Sequence, residues 1–266
     1  MKTKILAAAL MAACALAHAG IVARTRGDAA SAPASAASAG MRIEFASSDN
    51  PAKIATDPDD IAAINQAASL IQSRQPQAAI DRFLDPLIAR LDARYRDVPD
   101  KLYCANTMPE AMMYALQAAA TNTNTAVVDG ALCNAYFMRG FAELDLGKIT
   151  AAQADYDRVI ALSPSNPHFL NEVGQFHSRM RDWAGALGYF HRAEEASKAF
   201  SVEGRMNAEL GLALRGIGYV DVELGKLDEA EAAYRRCIEI DANDRQAKAE
   251  LGYVLNLRAE QIGLGK

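Results

Sequence analysis

Side chains able to do acid–base, nucleophilic or metal-ligand chemistry are few in this chain and poorly placed for it. Beyond the first nineteen residues the histidines are His168, His177 and His191. Their helical register puts them on different faces, where a single histidine serves as a packing or surface residue. The sequence contains no His-Glu-x-x-His, no paired cysteines at metal-binding spacing and no glycine-rich phosphate loop. Asp57, Asp59 and Asp60 cluster where a helix begins, and acids there are favoured by the helix dipole. Glu229 and Glu231 with Arg235 and Arg236 have the spacing of ion pairs along a solvated helix face. Trp183 falls at a turn between two helices and is expected to pack between them. No catalytic residue, metal or cofactor is expected. A formal charge of −5 gives no electrostatic reason to bind nucleic acid.

What remains is the framework. Lys2 and Lys4, the apolar run from Ile5 to Leu16 and the triplet Ala17-His18-Ala19 have the order of a secretory signal. The run is shorter than the roughly 20 residues a bilayer span needs. Removal of residues 1–19 is therefore expected, with delivery to a periplasm or the exterior and no integral membrane span in the mature chain. Leu10-Met11-Ala12-Ala13-Cys14 resembles a lipobox with Met in place of Leu, so lipid attachment at Cys14 is the alternative. Ala-rich signals of this kind resemble bacterial ones.

In an oxidising compartment the remaining cysteines, Cys104, Cys133 and Cys237, cannot all pair internally. Cys237 falls at a small core-facing position and reads as a buried free thiol. Cys104 and Cys133 are either two buried thiols or a bridge, which in the chain-entropy account would stabilise by about 3–4 kcal/mol.

Residues 20–56 are poor in large apolar side chains, and Asp28 to Gly40 is low-complexity Ala, Ser and Pro, the composition of a flexible tether. Folding signals start at Thr56-Asp57-Pro58, followed by Ile61, Ile64, Ala68 and Ile71 at helical spacing, which predicts a helix over 58–73. After Gln75-Pro76, a second helix with Ala79, Phe83, Leu87 and Leu91 runs to about Arg96. Pro109-Glu110 opens a short helix to Ala120, and Thr121 to Thr125 is a polar surface loop.

From residue 131 the chain repeats. Gly140, Gly174, Gly218 and Gly252 are separated by 34, 44 and 34 residues. Ala152, Ala186 and Ala230 follow the first three glycines by twelve residues, and Tyr156, Phe190 and Tyr234 come four later. The ten additional residues of the middle interval fall in Ala199 to Leu210, as a lengthened helix or a loop. Small residues at fixed places let two helices cross closely, while the aromatic fills the gap to the next hairpin.

These columns resemble the tetratricopeptide repeat (TPR). The first unit reads Tyr136, Gly140, Ala152, Tyr156 and Pro164; the second Leu170, Val173-Gly174, Ala186 and Phe190; the third Leu214, Ile217-Gly218, Ala230 and Tyr234. Leu251-Gly252 and Leu255 look like a closing helix. No unit has the family Trp, Arg139 stands before Gly140, and only the first unit ends in Pro. The resemblance implies an all-α, right-handed superhelical solenoid of antiparallel helix hairpins over 131–266, behind a degenerate helical region over 57–130.

The resemblance also implies a groove lined by the first helices of the hairpins, suited to holding a peptide or helix of a partner protein. Its positions here are Phe137 and Phe141, Asn171 and Gln175, Arg215 and Tyr219, and Ala249 and Tyr253. Phe137, Met138 and Phe141 would anchor an apolar side chain, or else bury as core. Asn171 and Gln175 would bond a backbone, and Arg215 would pair with a charge. The Lys and Asn pattern that grips a C-terminal carboxylate is missing, since Phe137 and Phe141 occupy its leading places. The expectation is an adaptor for protein or peptide, not an enzyme. The alternative is a scaffold of an envelope assembly that self-associates through Leu251 to Leu264.

Overall fold

The computed structural model describes residues 41–43, 56–97 and 100–264, the first three by backbone alone. The signal, Cys14 and most of the tether read from the sequence lie outside the described residues.

The first helix, α1 (Pro58–Gln72), is capped by Asp57, whose Oδ1 accepts from Asp59 N at 2.9 Å, and Pro at the first helical position needs no N–H partner. The three acids do not act alike. Asp60 is fully buried and ion-paired to Arg90, so it ties two helices together where dipole stabilisation alone was expected. The expected second helix is broken into α2 (Pro76–Ala79), a π-helical stretch over Ile80–Leu84, and α3 (Asp85–Arg94). Pro86 explains this: it has no N–H and its ring would meet the carbonyl four residues back, and the wider turn makes room. The Asp85 amide accordingly donates to Ile80 O, five residues back.

Three short strands stand where no strand was expected. They are β1 (Met41–Ile43), inside the stretch read as tether, β2 (Lys101–Ala105) and β3 (Thr125–Asp129). The sheet order is β1-β3-β2, and β3 pairs in parallel with both neighbours, Thr125 facing Met41 on one side and Lys101 on the other. The polar string shortens to a turn with Asn122 left-handed at φ 49°, and Thr125 already belongs to β3. Helix α4 (Met108–Thr121) covers one face, packing Ala111 and Tyr114 on Tyr103, Ala105 and Val127. Cys104 and Val128 point to the other face, against Leu87, Leu91 and Leu132.

The repeats follow as hairpins: α5 (Ala131–Asp145) with α6 (Ile149–Leu162), α7 (Pro167–Arg179) with α8 (Trp183–Phe200), and α9 (Met206–Glu223) with α10 (Leu227–Ile240), closed by α11 (Arg245–Leu264). Each second helix packs on the next first helix, and the whole is a helical solenoid. Gly147 and Gly225 end α5 and α9 with φ of +73° and +74°, where a side chain would be strained. Arg181 takes the same conformation in the second hairpin without being glycine.

The glycine column works by close approach. A Cβ at Gly140 would lie 3.1 Å from Tyr156, at Gly174 2.8 Å from Phe190 and at Gly218 2.7 Å from Tyr234. Phe190 is held from two sides, because a Cβ at Gly216 would come within 2.5 Å of the same ring. Arg139, the departure beside Gly140, replaces an apolar contact by a clamp. Its Nε and Nη2 donate to the buried Asp155 carboxylate at 2.7 Å each, and Nη1 donates to Asp85 at 2.8 Å. The ten additional residues of the middle interval lengthen both α8 and α9 to 18 residues.

Cys104 and Cys133 are joined in a disulfide with Cα atoms 6.2 Å apart, tying β2 to α5. Cys237 is a buried free thiol; burial pushes its pKa up to about 12, and its Sγ faces Gly211 O at 3.7 Å.

Candidate partner-binding site

The side chains expected along the groove do not share one environment. Phe137 is half-buried and turned into the stack: its ring lies 5.0 Å from His168, edge-on, and 5.5 Å from Phe169. It fills the joint between α5 and α7 and offers no open anchor. Phe141 and Met138 pack against Ala67, Ile71, Ile80 and Leu84, so α1 and the π-helical stretch cover them. Both phenylalanines are partly buried and pack into the stack, covered by 58–84 and by α7.

Asn171 is completely buried. Its Nδ2 donates to Glu209 O at 3.0 Å, and its Oδ1 has no hydrogen-bond partner among the described residues. The lengthened start of α9 lies across it, so the position is occupied by the chain itself and cannot bond a ligand backbone. Arg215 is ion-paired to Asp244, the residue whose Oδ1 accepts from Ala247 N at the start of α11. Its charge is therefore compensated internally, and it anchors α11.

Gln175, Tyr219 and Tyr253 remain accessible. Gln175 and Tyr219 are partly open, and Tyr253 is 44% exposed. Tyr219 and Tyr253 hold the same repeat position on α9 and α11. Trp183, at the start of α8, meets Tyr219 edge-on with ring centroids 6.3 Å apart. Trp183 thus packs between helices as expected, yet it extends the aromatic surface beyond the tyrosines. Burial, then the nearby Glu223, raises the Tyr219 phenol above its ordinary value, with Arg181 opposing and Glu250 adding. Burial also raises the Glu250 carboxyl. Both residues stand where charge is poorly solvated, as at a surface half-closed by its own neighbours.

The histidines stay apart. His177 Nδ1 lies 2.7 Å from Asp182 Oδ2, His168 meets Phe137 edge-on, and His191 is exposed beside Glu194. Among the described residues no three His, Cys, Asp or Glu side chains gather as a metal site would need, and no helix is long and apolar enough to cross a membrane.

A family profile described as the tetratricopeptide repeat matches residues 134–166 and 216–244. Those two stretches match tetratricopeptide repeats. The profile takes in the first hairpin and, from Gly216 onward, the third; the second keeps the same glycine and aromatic with a longer exit. Among solved structures, pilF of Pseudomonas aeruginosa is 14% identical with a TM-score of 0.52, covering 76% of this chain and 70% of that one. At that identity the likeness is one of fold. The first TPR domain of Spaghetti (RPAP3), bound to the HSP90 peptide SRMEEVD, is 22% identical with a TM-score of 0.41, covering 48% and 93%. MamA of Desulfovibrio magneticus RS-1 is 18% identical with a TM-score of 0.44, covering 77% and 88%. No curated protein matches the chain in sequence.

Proposed function

We propose that this protein is an exported, non-enzymatic adaptor that holds a segment of a partner protein on the aromatic shelf formed by Trp183, Tyr219 and Tyr253, with Gln175 at its edge. The observation that carries the reading is the accessible tyrosine repeated at one position on consecutive first helices, next to an indole. Aromatic rings of low side-chain entropy with one polar tip are the usual anchors of protein recognition. Repeat stacks bind through one extended face, and their function lies there because the interior is consumed by packing. Export is supported by the signal-like residues 1–19 and by the Cys104–Cys133 bridge, which suits an oxidising compartment such as a bacterial periplasm or the exterior.

The test is a crosslinking pull-down from the native envelope fraction with wild type and a Gln175→Ala/Tyr219→Ala/Tyr253→Ala variant, each checked for an unchanged helical circular-dichroism spectrum. A partner captured by the wild type and lost by the variant is expected. Equal capture by both overturns the shelf. The mass of the purified mature chain tests the export route: an N-terminus at Gly20 is expected, and a lipid-bearing Cys14 replaces that reading with surface anchoring.

A further inference from the structure

A cleft of about 320 Å³ lies between α8 and α10, over α9, apart from the aromatic shelf. Leu187, Ile217 and Ala233 give it aliphatic walls, and four exposed residues, His191, Lys226, Glu229 and Arg236, surround them. Asp221 also lines it and is only 5% exposed. Two residues apart on α9, Tyr219 and Asp221 stand about 200° from each other around the helix, so shelf and cleft are separate surfaces. The tetratricopeptide pattern has a tyrosine three residues after its glycine. Asp221 holds that place after Gly218, and its shorter side chain leaves the space of a ring unfilled.

The charges around the cleft do not balance. Arg236 is ion-paired to Glu194, and His191 Nδ1 lies 4.0 Å from the same carboxylate. Asp221 and Glu229 then face the single free ammonium of Lys226. Among the described residues the Asp221 side chain has neither a hydrogen bond nor an ion pair. Burial raises its carboxyl above the ordinary value, with Lys226 and His191 opposing and Glu229 adding. A buried carboxylate without a partner is costly, and a cation brought to it removes that cost.

We infer that the cleft receives a lysine side chain of a partner protein, its ammonium between Asp221 and Glu229 and its methylenes along Leu187, Ile217 and Ala233. The uncompensated carboxylates select a cation, and the aliphatic walls select an alkyl stem. No phenyl, phenol or indole ring lines the cleft to stack a guanidinium, which favours lysine over arginine. The volume admits one side chain and not a helix, so the contact is a single anchor of roughly millimolar strength beside whatever else the partner touches.

Titration of the full chain with the blocked peptide acetyl-Ala-Lys-Ala-amide, followed at the Ile217 methyl signal by NMR, tests this. The lysine peptide should shift that signal. A norleucine peptide, which keeps the stem and lacks the charge, should bind about tenfold more weakly or worse. Asp221→Asn, of nearly the same shape and checked for an unchanged circular-dichroism spectrum, should weaken lysine binding by about tenfold. The exposed changes are milder: Glu229→Gln should weaken it about threefold, and Lys226→Gln should tighten it about threefold by removing a competing cation. No shift with the lysine peptide overturns the inference. So does equal binding of the norleucine or arginine peptide, or an Asp221→Asn variant that binds as wild type does. A peptide that binds only after Lys226→Gln makes the chain's own lysine the occupant and overturns it too. None of these readings involves Tyr219 or Tyr253, so the shelf stands or falls separately.

Discussion

The two halves of the molecule are held together by different physics. From α5 onward, stability comes from a short-range rule repeated along the chain: a glycine on one helix, an aromatic ring on the next. Before α5 no rule repeats. The sheet, α4 and the first helices are fastened by single devices: a disulfide, the Asp60–Arg90 pair, the Arg139 clamp and one buried carboxylate. That carboxylate is Glu110. Its oxygens accept from Asn106 N, Tyr114 OH, Ser163 OH and Asn166 Nδ2 at 2.7–3.3 Å, which pins α4 to the turn before α7. A repeated rule spreads its load over many equal contacts, whereas a set of single fastenings concentrates it.

Removing the strongest fastening should separate the halves most. Cys104→Ser/Cys133→Ser, which opens a loop of sequence separation 29, is expected to cost about 3–4 kcal/mol. Hydrogen exchange should show the loss in β2, β3 and α4, while α7 to α10 stay protected; uniform loss across the chain would erase the distinction. Next is Glu110→Ala, expected to cost about 2–4 kcal/mol by stranding buried donors. Burial raises the Glu110 carboxyl above its ordinary value, so the folded state binds a proton there more readily than the unfolded one. The contribution of Glu110 to stability therefore falls as pH rises through the window above the ordinary carboxyl value. Urea melts at several pH values should show the gap between wild type and variant widening as pH is lowered through that window. The smallest effects sharpen the contrast within the repeats. Gly216→Ala should cost about 1–3 kcal/mol by pressing on Phe190, whereas Gly252→Ala should gain about 0.5–1 kcal/mol, since its Cβ meets nothing.

The same division governs what could be read beforehand. The repeat was legible because its columns are local and periodic: Gly140 to Tyr156 spans a single hairpin. The sheet was not, because β2 and β3 are five residues each, β3 is buried along nearly its whole length without alternation, and parallel pairing joins segments distant in sequence. At the candidate site, Tyr219 and Tyr253 came from the repeat layout that the TPR resemblance implied, and both stay accessible. Asn171 and Arg215 did not, because what covers or pairs them arrives from elsewhere: the start of α9 and Asp244. The ten additional residues between Gly174 and Gly218 could be located in the sequence, but not the fact that they fold back over Asn171.

Phe190 has a mechanical consequence. One ring wedged between Gly174 and Gly216 serves two hairpins at once, so neither can part from the other without emptying the same space. Pulled from its C-terminal end, the stack would shed α11 and α10 first and then stall at that shared ring. Extension under force would come in steps, with the second hairpin acting as the catch.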